Sequence, residues 1–145
     1  MVEKNIEKDA QRTLQEKVLA YRILESRLDG LIKQRDFIVS KIVEVKITIE
    51  SIDEIVKSKS DVIFPIGSSA YVTSENVGKK KILVEVGGGV VLDKTPEEAK
   101  KILNRRSDDF QSALLTLNNE MGKVSLAMDE LAPDIQKIVE STRAV

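Results

Sequence analysis

The chain has 145 residues, 23 basic and 24 acidic side chains, a net charge of −1, and neither cysteine nor histidine. The missing residues exclude disulfides, thiolate metal ligands, His-bearing zinc sites and Ser-His or Cys-His nucleophilic pairs, and no metal or cofactor site is expected. The balanced charge sets up no field that would draw the protein to nucleic acid or to an anionic membrane, and neither is expected as a partner.

The first segment, residues 1–60, carries a heptad repeat. Position a falls at Leu14, Tyr21, Leu28, Arg35, Ile42, Ile49 and Val56, and position d at Lys17, Leu24, Leu31, Ile38, Val45 and Ile52. Eleven of these thirteen positions are apolar, Lys17 and Arg35 being the exceptions. An apolar stripe spaced three and four over so many turns specifies a coiled-coil seam. The helix is predicted from about Ile6 to about Lys57 and ends at the Ser58-Lys59-Ser60-Asp61 cluster.

Between residues 61 and 94 the period changes. Val62-Ile63-Phe64-Pro65-Ile66 reads as a strand whose proline puts it at an edge or an end. Gly67-Ser68-Ser69 turns the chain into a second strand, Ala70–Thr73. A polar loop from Ser74 to Lys80 leads to a third strand, Ile82–Val86, and Gly87-Gly88-Gly89 turns it into a fourth, Val90–Asp93. Two small hairpins cannot bury both faces within one subunit, and exposed strand edges recruit partners. The segment therefore reads as an assembly module. In the first hairpin it works through Val62, Phe64, Ile66, Tyr71 and Val72, and in the second through Ile82, Val84, Val86, Val90 and Leu92.

The last segment, residues 95–145, opens on a capping box: Thr95 as N-cap, Pro96 at the first helical position and Glu98 three residues on. Its heptads place a at Leu103, Phe110, Leu117, Val124, Leu131 and Ile138, and d at Ser107, Leu114, Met121, Met128 and Ile135. The helix is predicted to about Glu140, with an interruption or a fresh start at Pro133 and a weak point at Gly122. Two stripes of similar length joined by a short insert predict an antiparallel helical hairpin, with Leu28–Leu31 lying level with about Leu117–Val124. The fold class is thus α+β and mostly α, a single domain over residues 1–145.

Several motifs invite a chemical reading that their context refuses. Gly87-Gly88-Gly89 lacks the Lys-Ser/Thr of a P-loop and the GxGxxG spacing of a dinucleotide site, and a hairpin turn accounts for it. Lys79-Lys80-Lys81 lies beside Glu75 and Glu85 and reads as a solvated loop. Glu97-Glu98 and Asp108-Asp109 are adjacent helical positions that point apart, and Met121 and Met128 fill the seam. At the coil end away from the hairpins the apolar content exceeds what a seam needs. Ile6, Ala10, Leu14, Val18 and Leu19 would lie beside Leu131, Ala132, Ile135, Ile138 and Val139, either stapling the last heptad or offering a surface to apolar segments of other proteins. The polar N-terminus does not read as a signal peptide, no apolar run is long enough to span a membrane, and a soluble intracellular protein is expected.

The central block carries a resemblance. Phe64-Pro65-Ile66-Gly67-Ser68, the run Ile82 to Lys94 with its glycine turn, Glu98-Ala99 and Leu131-Ala132-Pro133 resemble the α-type subunit of prefoldin, in its archaeal form. A Gly triplet stands where Gly-x-Gly is more usual, and two hairpins rather than one match the α type rather than the β type. The resemblance implies a cytoplasmic, ATP-independent holdase that catalyses no chemistry, in which two α-type and four β-type subunits join their strands into a β-barrel platform. Coiled coils hang from the platform and hold unfolded client proteins at their tips for delivery to a group II chaperonin. A nucleic-acid-binding arm and a passive coiled-coil scaffold are the alternative readings of the same heptads.

Overall fold

A computed structural model of the chain describes residues 1–76 and 80–144. The elements run α1 (Val2–Lys57), β1 (Val62–Gly67), β2 (Ala70–Ser74), β3 (Ile82–Gly87), β4 (Val90–Lys94) and α2 (Pro96–Arg143). They form two units, one of Met1–Phe37 with the chain from Ala113 onward, the other of Ile38–Ser112. Both helices outrun their predicted ends. Nothing at either extremity breaks a helix, and Glu3 in the first turn of α1 and Arg143 in the last turn of α2 complement the helix dipoles.

In the first unit the two helical segments are antiparallel. Lys17 pairs with Asp134 at 2.8 Å, and Arg27 pairs with Glu120, so residue numbers rise on one helix as they fall on the other. The Arg27–Glu120 pair sets Leu28 and Leu31 level with the stretch from 117 to 124, as the heptads predict. Leu31, Leu117 and Val124 are buried, and the remaining a and d side chains of this unit are half-buried. Lys17, one of the two polar residues in the α1 stripe, thus has a carboxylate waiting for it across the seam. Arg35, the other, turns sideways to the adjacent Asp36 at 2.8 Å. Pro133 does not end or restart α2, which continues to Arg143. A proline removes one N–H from the ladder, and the loss is confined to one turn, beside which Asp134 is tied to Lys17.

The second unit has a small core of Val45, Ile52, Ala99, Leu103 and Val84, with Ile49, Val56, Ile82, Ile102 and Phe110 packed against it. Here the seam of α1 and α2 gains a third side from strand β3. The capping box forms as predicted: the Glu98 N–H donates to Thr95 Oγ1 at 3.2 Å, and the Thr95 N–H donates to Glu98 Oε2 at 3.1 Å. Lys100 bridges to Asp53 at 2.7 Å.

Strands β1 and β2 form one antiparallel two-stranded sheet, and β3 and β4 form another. Their registers are the same, displaced by 20 residues: Val62 pairs with Ser74 as Ile82 pairs with Lys94, and each hairpin carries an irregularity just before its turn, between Pro65 and Gly67 and between Glu85 and Gly87. Each then closes through two left-handed residues, Ser68 and Ser69 (φ 47° and 60°) in the first and Gly88 and Gly89 (φ 58° and 76°) in the second. Two consecutive residues of positive φ make a type I′ turn, whose twist matches that of the strands. The second hairpin meets this demand with glycine, while the first holds two serines where an L residue is strained.

Candidate functional site

Two surfaces answer to the residues singled out from the sequence, one in each unit. In the first unit the opening turns of α1 lie against the closing turns of α2, and between them is a groove of about 480 Å³ lined by Glu3, Ile6, Glu7, Ala10, Ser141 and Thr142. Ile6 is 63% exposed and Leu19 59%. Leu14, Leu131, Ile135 and Ile138 fill heptad positions and are half-buried. Val18, Val139 and Ala10 are half-buried as well, and Ala132 is exposed. The surplus apolar character therefore resides in Ile6, Leu19 and Ala132 rather than in the whole set. Further exposed apolar residues of this unit escaped the sequence reading: Ile23, Phe37, Leu115 and Leu126. Their signal was available, since each is an apolar side chain at an outward heptad position.

The second surface is the pair of hairpins. Strand geometry sends alternate side chains to opposite faces, and in β3 this divides the residues sharply. Val84 is only 6% exposed and belongs to the core against Val45, Ile52, Ala99 and Leu103, with Ile82 half-buried beside it. Leu83, on the other face, is 67% exposed, and Val91 opposite Glu85 is exposed too. Val84, grouped from the sequence with the assembly residues, is thus spent inside its own subunit. Phe64, Ile66, Tyr71, Val72, Val86, Val90 and Leu92 are exposed, and Val62 is half-buried. Ile63, Leu83 and Val91 extend that exposed set.

The shared register makes Phe64 the counterpart of Val84, yet Phe64 is 51% exposed. The same hairpin is built twice, once seated on the helices and once with the corresponding face open to solvent. Each sheet has two strands and hence two unpaired edges, and Pro65 has no N–H to offer a ladder in any case. The second hairpin is pinned at its bulge, where Arg106 Nη2 donates to the Glu85 carbonyl at 2.7 Å and the Gly89 N–H donates to Glu85 Oε1 at 3.1 Å. Asn76 Nδ2 donates to the Ile55 carbonyl at 2.9 Å, tying the chain after β2 to the end of α1.

Three charged groups are shifted, each by a partner across the seam. The hydrogen bond from Lys100 holds the Asp53 carboxyl below the usual carboxylate range, and the same bond raises the Lys100 ammonium. Lys17 likewise lowers Asp134. These are structural ion pairs. Of the Lys79–Lys81 run, Lys81 pairs with Asp93 at 2.7 Å, and Lys79 lies outside the described residues. Among the described residues no cluster of carboxylates could hold a metal ion, and no helix is long and apolar enough to cross a membrane.

The chain is similar to known proteins along most of its length. The family model for prefoldin subunits matches residues 24–141. The chain is 20% identical over 130 residues to prefoldin subunit alpha of Pyrococcus horikoshii, covering 88% of both chains. It is 29% identical over 79 residues to prefoldin subunit alpha of Methanosarcina mazei, covering 54% of this chain and 56% of that one. It is 28% identical over 98 residues to a probable prefoldin subunit 5 of Schizosaccharomyces pombe, covering 65% and 64%. Among solved structures, a filamentous prefoldin from Methanocaldococcus jannaschii has the same fold, with a TM-score of 0.68 at 20% identity over 83% of this chain and 98% of that chain.

Proposed function

This chain belongs to the prefoldin family as a subunit of the two-hairpin α type, and from that premise we propose that it works as an ATP-independent holdase that captures non-native proteins at the open end of its coil. The observation that supports this reading most directly is the placing of apolar surface. Apolar side chains are covered in the seam and on β3's inner face, while others stay exposed at the open coil end (Ile6, Leu19) and on the hairpins (Phe64, Ile66, Leu83), with further ones along the coil. The hairpin edges join strands of other subunits, two α-type with four β-type, into a barrel platform. The coil ends hold client chains for a group II chaperonin in the cytoplasm.

One exposed side chain fully covered contributes only about 1.5–3 kcal/mol, so a single coil end holds a client weakly. Several coil ends tethered to one platform raise the effective concentration and with it the avidity. Aggregation of a chemically denatured client, followed by light scattering without nucleotide, is the direct test. The assembled complex suppresses aggregation. A complex truncated before Leu14 and after Leu131 stays assembled and does not. Full protection by the truncated complex would place capture elsewhere, and no protection by the intact complex would leave a passive scaffold.

A further inference from the structure

The groove at the open end has a chemical bias that apolar surplus alone does not describe. Its floor is Ile6 and Ala10, an apolar pair one helical turn apart. Among the described residues its charged lining is Glu3 and Glu7, also one turn apart on the same sector of α1. Like charges at this spacing repel rather than support a helix, and neither carboxylate is engaged by an ion pair among the described residues. Lys4 and Lys8 occupy the neighbouring helix face and line no part of the groove, and Arg12 is committed to Glu16 at 3.1 Å.

The opposite wall is Ser141 and Thr142. Both hydroxyls donate to one carbonyl of their own helix, that of Ile138, at 2.9 and 2.7 Å. A hydroxyl has one proton to give, so these two turn only lone pairs toward the groove. They stand in the last turn of α2, where the carbonyl ends of the helix carry its partial negative charge. The polar side chains lining the groove among the described residues are therefore all acceptors, and side-chain donors must come from whatever lies in it.

We propose that the groove selects client segments in which apolar residues are interleaved with lysine or arginine, the apolar side chains covering Ile6 and Ala10 and the cationic heads meeting Glu3 and Glu7. This rests on client capture at the open end and names the client chemistry that the end prefers. An acidic apolar segment would find two carboxylates and no donating side chain, and an uncharged one would leave both carboxylates without an ion-pair partner.

The test uses the assembled complex and two fluorescent peptides with the same apolar residues, one flanked by lysines and one by glutamates, titrated by anisotropy at low and at physiological salt. Two exposed charge contacts predict about a fivefold preference for the lysine peptide, narrowing with salt because the charges are wet. Glu3→Gln with Glu7→Gln should bring the two affinities together, Glu3→Lys with Glu7→Lys should reverse their order, and Asp9→Asn, outside the groove, should leave the preference intact. Equal binding of both peptides at every salt concentration, or a preference that survives Glu3→Gln with Glu7→Gln, overturns the selectivity while leaving capture at the open end in place. Failure of both peptides to bind, or binding unchanged by removal of the coil ends, overturns capture there and the selectivity with it.

Discussion

Strand β3 presents two faces with different destinies, and substitutions one residue apart should separate them. Val84→Ala removes two methyl groups from a core that leaves the side chain 6% exposed among Val45, Ile52, Ala99 and Leu103. Transfer of two such groups accounts for roughly 1.6 kcal/mol, and incomplete collapse of the cavity brings the cost to about 2 kcal/mol. With a urea slope of about 2 kcal/mol per molar, the midpoint should fall by about 1 M. Leu83→Thr with Val91→Thr puts a residue of good strand propensity at both positions and changes only the exposed face. The stability of the subunit should then move by no more than about 0.5 kcal/mol. If both side chains are covered in the assembly, the loss of about 3 kcal/mol across the interface weakens association roughly a hundredfold. Far-UV circular dichroism in urea and sedimentation velocity read the two effects, all variants being compared at one protein concentration because association itself stabilises. Equal midpoints for the two variants would refute the assignment of faces. An unaltered oligomer in the Leu83/Val91 variant would refute the hairpin as the interface.

Gly30→Ala and Gly122→Ala should each stabilise the protein by about 0.5–1 kcal/mol, since both are helical and a Cβ at either meets nothing within 4 Å; a lower urea midpoint for either would count against the helix register. Ser69→Gly should raise stability by up to about 1 kcal/mol by relieving a positive φ in the first turn, whereas Gly89→Ala, imposing the same strain on the second, should lower it by a similar amount in the same urea assay. Asp53 and Asp134 have lowered pKa values, so their contribution is complete above the ordinary carboxylate value and fades as the pH falls through the native one. Lys100 is raised, so its contribution is complete below the ordinary ammonium value and fades only above it. The urea midpoint should therefore be level, as far as these groups decide, between about pH 5 and 10, and fall below about pH 4. Asp53→Asn with Asp134→Asn should flatten that acid limb, and an acid limb as steep as in the wild type would show that these pairs do not set it.

The helices, their cap, the turns and the strand order were legible in the chain because each is a local pattern. A period of three and four commits Leu31, Val45 and Ile52 to one stripe and Leu103, Leu117 and Val124 to another, and burial of those six follows from the pairing of the two. Thr95 and Glu98 are three residues apart wherever the helix lies, so their reciprocal bonds needed no tertiary information. Three features were settled at longer range. Alternation in β3 shows that Val84 and Leu83 face opposite ways, but which face is covered depends on where the hairpin lands on the helices, and that made Val84 core instead of interface. Lys17 looked like a defect in the stripe until a residue 117 positions away in sequence was brought within 2.8 Å of it. The acidic groove at the open end exists because the last turn of α2 comes to lie against the first turns of α1. Glu3, Glu7, Ser141 and Thr142 have no relation in sequence that would reveal it, and only the antiparallel pairing of the two helices in the first unit brings them together.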